Sequence, residues 1–164
     1  MAARPALAGP ASRMPERSLD LVHRVTGETL RETYFADGAY LPEALARIDW
    51  FMRDWHLDAA TRIEPALLDL LHRLTRRFGT KGRVEVMSAY RTAETNARLR
   101  EEGYRPASGS LHLVGRAIDL RVPGVPLAVV RRAALSLHSG GVGFYPRRNF
   151  VHLDTGEVRH WVGA

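Results

Sequence analysis

The chain has 164 residues, 45% of them apolar and 26% charged, and 24 basic against 18 acidic side chains give a formal charge of +6. Those proportions fit one globular domain able to bury a core without a disulfide or structural metal, and they exclude a disordered chain. No apolar run approaches the roughly 18 residues of a membrane-spanning helix, and the absence of cysteine excludes thiol catalysis and thiolate metal sites.

All basic residues except Lys81 are arginine, and the pairs Arg76-Arg77, Arg131-Arg132 and Arg147-Arg148 are scattered. A nucleic-acid surface gathers such charge into a stripe with interleaved aromatics, so no nucleic-acid partner is expected. Residues 1–17 are rich in Ala, Pro and Arg, lack the apolar stretch of a signal peptide and read as a flexible leader. The folded domain is expected over residues 18–164.

In chain order, Leu19, Leu21 and Val25, the turn Thr26-Gly27-Glu28 and the β-prone run Thr29 to Phe35 predict a hairpin. Leu41, Leu45, Ile48, Phe51 or Met52, and Trp55 recur every three or four residues, predicting an amphipathic helix from Pro42 to about Trp55. A second helix carries Leu67, Leu71, Leu74 and Phe78 on one face, with Pro65 in its first turn and Gly79 past its end. A strand follows over Gly82 to Tyr90. Thr92 caps a short helix through Arg100, closed by Gly103. Further strands are predicted over Ala117 to Val122 and Phe150 to Asp154, separated by a helix carrying Leu127, Val130, Ala134 and Leu137 that stops at Gly140-Gly141. This order predicts a single α+β domain, a small antiparallel sheet with helices packed on one face.

The stretch Ser110-Leu111-His112-Leu113-Val114-Gly115-Arg116-Ala117-Ile118-Asp119 fits S-x-H-x-x-G-x-A-x-D. On one helix His112 and Asp119 would lie about 10 Å apart along the axis, too far to share a metal with bonds of about 2.0–2.2 Å. A bend at Gly115 solves this, placing His112 in a loop and Asp119 on the following strand, on the side away from Ile118 and Leu120. Phe150-Val151-His152-Leu153-Asp154 repeats the alternation. If the two strands are neighbours over one core, His112, Asp119 and His152 make a two-His, one-Asp zinc site with an open fourth position.

With these motifs the chain resembles the zinc peptidoglycan peptidases of the D-alanyl-D-alanine carboxypeptidase and dipeptidase superfamily, whose fold hedgehog proteins share. It is most similar to the murein endopeptidase K branch. The matching residues run from Arg17-Ser18-Leu19 and Thr26-Gly27-Glu28 through Ser88-Ala89-Tyr90-Arg91-Thr92, Asn96-Ala97 and Ser110 to Asp119. They continue through Gly140 to Pro146 and Phe150 to Gly156, with Val158-Arg159 and Trp161. The resemblance implies zinc on His112, Asp119 and His152, and Arg91 beside the scissile carbonyl to stabilise its oxyanion. It also implies a peptidoglycan peptide as substrate and work in the periplasm or cell envelope, with the protein a monomer. No signal peptide is visible in the sequence.

Many relatives carry a general base three residues before the last ligand, as Glu, or two before it, as His; here those positions are Asn149 and Phe150. Asp154 is the candidate base that remains, with capping of the Thr155-Gly156 turn as its structural alternative. Arg91 has an alternative as the ion-pair partner of Glu94 or Asp119. Ser110, Tyr90 and His160 are the candidate substrate contacts. The choice between endopeptidase and carboxypeptidase stays open, and the alternative to catalysis is a non-catalytic zinc-stabilised module that binds cell-wall peptide or a protein.

Overall fold

One sheet runs through the computed structural model, which describes residues 14–104, 107 and 109–163. Most of the segment read as a leader, residues 1–13, lies outside the described residues. The strands are β1 (Arg17–His23), β2 (Thr29–Ala36), β3 (Ala39–Tyr40), β4 (Val84–Ser88), β5 (Ala117–Arg121), β6 (Gly141–Tyr145), β7 (Phe150–Asp154) and β8 (Arg159–Val162). Their order across the sheet is β3-β2-β1-β4-β5-β7-β6-β8, with β1–β4 and β6–β8 parallel and the other pairs antiparallel. The fold is thus α+β as expected, but the sheet is larger than predicted and mixed.

Four α-helices occur among the described residues: α1 (Pro42–Phe51), α2 (Pro65–Thr75), α3 (Ala93–Glu101) and α4 (Leu127–Leu135). Proline opens α1 and α2, where its missing N–H costs nothing. Their apolar faces, with Ile48, Phe51, Leu67, Leu71 and Leu74 buried, pack on Leu19, Leu21, Val84, Val86, Ile118 and Leu120 of the strands. None of these helices is long and apolar enough to cross a membrane. Helix α1 ends four residues earlier than predicted. The Asp54 carboxylate accepts the His56 N–H, and residue 54 bridges to Ala59, turning the chain before Trp55 can extend the helix.

Strands β6 and β8 were not predicted. Gly140-Gly141 reads as a helix stop, but Gly141 and Gly143 are sheet residues without side chains because β8 occupies that space. A Cβ on Gly141 would lie 2.7 Å from Arg159 Nη1, and one on Gly143 2.7 Å from the Trp161 indole. At the other edge Asp69 of α2 accepts from Arg17 (2.6 Å), Tyr34 (3.0 Å) and Tyr40 (2.8 Å), joining β1, β2 and β3 to the helix layer.

Candidate metal centre

The alternation along β5 turns Ile118 and Leu120 into the core and leaves Asp119 on the other face, and β7 does the same with Val151, Leu153 and His152. Asp119 and His152 are direct partners across the β5–β7 ladder, so their side chains leave the sheet together. His112 arrives from a 3-10 turn over Leu111–Val114, closed by Gly115 in the left-handed region (φ 67°). A Cβ on Gly115 would stand 2.4 Å from the Arg62 carbonyl oxygen, so only glycine fits the predicted bend. The turn is cross-tied to the segment after β4. His112 Nδ1–H donates to the Ala89 carbonyl (2.6 Å), and the Arg91 N–H donates to the His112 carbonyl (3.1 Å).

His112 Nε2 lies 3.2 Å from His152 Nδ1 and 3.3 Å from Asp119 Oδ1, and those two atoms are 2.9 Å apart. For metal bonds of about 2.0–2.1 Å, a tetrahedral edge is about 3.3 Å, so the triangle fits one face of a zinc polyhedron. The hydrogens agree with this fit. A carbonyl only accepts, so His112 carries its hydrogen on Nδ1 and offers the Nε2 lone pair. His152 donates Nε2–H to Asp154 Oδ2 (3.0 Å), which aims Nδ1 at the centre. Three acceptors then face one another in a buried site, and something positive must lie among them. Without metal a proton does so: burial lowers the His152 pKa, but hydrogen bonds to Asp119 and Asp154 outweigh it and raise it to about 9. Burial pushes His112 below its usual range, whereas the two imidazoles hold Asp119 well below the carboxylate range against the opposing effect of burial.

Asp154 lies behind His152 and is fully buried. Its Oδ1 accepts from the N–H groups of Gly141 (2.9 Å) and Gly156 (2.8 Å), and from Arg159 Nη1 (3.1 Å). Its Oδ2 accepts from His152 and from Arg159 Nη2 (2.7 Å). Arg91 stands on the other side of the centre, with Nη2 3.6 Å from Asp119 Oδ2. Its Nε is buried and has no hydrogen-bond partner among the described residues. Neither Nη group makes a hydrogen bond among the described residues, so the partly exposed end of the guanidinium is the part with donors available to a substrate oxygen.

The family model for peptidoglycan L,D-endopeptidase MepK matches residues 11–161. The chain belongs to the MepK family. It is 42% identical over 145 residues to peptidoglycan L,D-endopeptidase MepK of Escherichia coli K12, covering 88% of this chain and 80% of that one, and the Shigella flexneri protein gives the same figures. The probable peptidoglycan L,D-endopeptidase MepK of Haemophilus influenzae is 39% identical over 140 residues, covering 85% and 75%. No solved structure matches.

In this MepK-family chain the three metal-ligand candidates and Arg91 come together, and the other expected residues divide. Asp154 touches the site only through His152, on the side away from Arg91. Ser110 stands at the N-cap of the His112 turn, where its carbonyl accepts from Leu113 and its hydroxyl makes no capping bond. Tyr90 donates its N–H to Met52 and packs its ring against the core. His160 does not join the site. It pairs with core residue Val142, whereas its neighbour Trp161 pairs with Gly143 on the metal side, so strand alternation turns His160 away. Asn149 sits in the exposed β6–β7 turn with φ 57°.

Sequence reasoning gave no role to Arg159, Trp161 or Tyr145, which surround His152 and Asp154. The Trp161 ring centre lies 5.2 Å from that of His152, and its Nε1–H donates to Tyr145 Oη (2.9 Å). The alternation of Val142 and Phe144 against glycines is the sequence signal that points to β6, and through it to this wall.

Proposed function

We propose that this protein is a zinc-dependent peptidoglycan L,D-endopeptidase of the cell envelope, cutting an amide bond in cross-linked stem peptides. The observation that carries this reading is the convergence of three lone-pair atoms of His112, Asp119 and His152 beside the unspent Arg91 donor. A zinc ion there supplies Lewis acidity and makes water a nucleophile at neutral pH. The chain does the rest. Ala89 and Asp154 fix the two imidazole tautomers, and Asp119 offers Oδ1 to the centre while its Oδ2 holds Arg91. Arg91 presents its donor to the amide carbonyl as that oxygen becomes anionic. That spare donor favours catalysis over a purely structural zinc module. The test is incubation of zinc-loaded protein with purified peptidoglycan and mass spectrometry of the products. Cleaved cross-links are expected, lost on chelation and restored by zinc; an unchanged fragment pattern overturns the reading.

Two variants separate the roles. Arg91→Lys lowers kcat by about a hundredfold with little change in KM, because a compact ammonium cannot replace the planar fork at a developing oxyanion. A rise in KM alone would reduce Arg91 to ground-state binding. Asp154→Asn distinguishes an anchor from a base. As an anchor, Asp154 sets the His152 tautomer, and its loss weakens zinc affinity about 10- to 100-fold, with turnover recovering in excess zinc. A base would leave affinity intact and lose about 10²- to 10⁴-fold in rate whatever the zinc concentration. Chelator competition read beside kcat decides, and the carboxylate's burial and five donors favour the anchor.

A further inference from the structure

We propose that Tyr145 is a further catalytic residue, donating a hydrogen bond from its phenol to the carbonyl oxygen of the scissile amide from the flank opposite Arg91. The inference rests on the endopeptidase reading and deepens it. The sheet order sets the placement. Arg91 follows β4, the ligands Asp119 and His152 lie on β5 and β7, and Tyr145 ends β6 beyond them. Tyr145 pairs with Phe150 two residues from His152, on the face that carries the metal ligands.

The phenol is held in place from three sides. Its ring stacks on Phe150 with centres 4.5 Å apart, and it covers Gly163 so closely that a Cβ there would stand 2.0 Å from Tyr145 Cε1. The indole N–H of Trp161 can only donate, so Tyr145 Oη accepts that bond and keeps its own hydrogen for another partner. Among the described residues no acceptor takes that hydrogen. Trp161 in turn lies over Gly143, where a side chain would exclude it, and beside the His152 ring. Two donors, one cationic and one neutral, therefore flank the metal ligands with hydrogens to spare. Donors fixed before the substrate arrives need no reorganisation as charge develops, which makes such an arrangement effective for an amide becoming tetrahedral. Trp161 is then a positioning residue, acting through Tyr145.

The experiment measures kcat and KM of zinc-loaded wild type, Tyr145→Phe, Trp161→Phe and the double variant on purified peptidoglycan fragments, with zinc content and Tm for each. Tyr145→Phe is expected to lower kcat by about a hundredfold at unchanged KM, zinc content and Tm. Trp161→Phe keeps an aromatic ring and loses the N–H, so it lowers kcat less, and the double variant is no slower than Tyr145→Phe. Full turnover in Tyr145→Phe, a rise in KM alone, or losses that multiply in the double variant overturn the assignment. If Tyr145→Phe fails to fold, Trp161→Phe carries the test: reduced kcat at unchanged Tm supports it, and unchanged kcat overturns it. A wild type that releases no fragments overturns the endopeptidase reading and this assignment with it. An active wild type beside a fully active Tyr145→Phe overturns this assignment alone.

Discussion

His112→Ala and His152→Ala are each expected to abolish stoichiometric zinc binding and, with it, peptidoglycan cleavage. Removing either imidazole leaves two donors at a centre whose geometry closes with three, and Lewis-acid stabilisation worth several kcal/mol disappears, on the order of 10³-fold or more in rate. Metal analysis after zinc loading and dialysis measures the occupancy directly. Thermal unfolding adds an independent reading: zinc is expected to raise the wild-type Tm by mass action and to give neither variant that gain. Full zinc occupancy in both variants would overturn the metal centre. His112→Ala also leaves the Ala89 carbonyl without its donor, so its metal-free form unfolds about 1–3 kcal/mol more easily.

The largest effect on stability is expected from Gly140→Ala, a residue outside the metal centre. Gly140 has φ 71°, and a Cβ there would stand 1.7 Å from the Asp154 carbonyl oxygen and 2.7 Å from its carbon. Both colliding groups are backbone, so no rotamer relieves the clash. The left-handed conformation costs about 1–2 kcal/mol for a residue with a Cβ, and forced displacement of packed structure adds about 1–3 kcal/mol. A total of about 3 kcal/mol lowers Tm by about 6–12 °C in a domain of this size. Gly38→Ala is the control: it shares the positive φ (82°) and meets nothing within 4 Å, so only the conformational cost remains. Equal losses in the two variants would show that the close approach to β7 contributes nothing. The displacement in Gly140→Ala falls on Asp154, which accepts from His152, so zinc affinity is expected to decline along with Tm.

The convergence of His112, Asp119 and His152 was legible in the sequence because strand alternation is a local property. Asp119 and His152 each sit between apolar neighbours, and Gly115 between His112 and Asp119 supplies the bend that their spacing demands. The β1–β2 hairpin and the Thr92 cap, whose Oγ1 accepts the Thr95 N–H at 3.1 Å, were legible for the same reason. What escaped depends on partners far away in the chain. Nothing in the spacing of Asp154 and Arg159 says that their charges pair under His152, because that pairing needs the chain after β7 to cross β6 and add β8 in parallel. Strand β8 itself is exposed at three of its four positions and so carries no apolar period. The glycines of β6 look like punctuation until the side chains of Arg159 and Trp161 fill the space above them.

Two of the three ligands are fixed by the ladder between central strands, and the third is carried by a turn. The three side chains are therefore anchored unequally. Moving the backbone of Asp119 or His152 would require breaking the sheet, whereas that of His112 can withdraw once the Leu111–Val114 turn lets go of Ala89 and Arg91. A metal held by these three side chains is expected to exchange through that opening, at a rate set by hydrogen bonds remote from the candidate ligands. Arg116 reaches Glu64 (3.2 Å) and the Thr155 carbonyl (2.7 Å), clamping the far end of the turn. The same opening would draw away the backbone carbonyl of His112 that accepts the Arg91 N–H, so a chain open for metal exchange would also loosen its hold on Arg91.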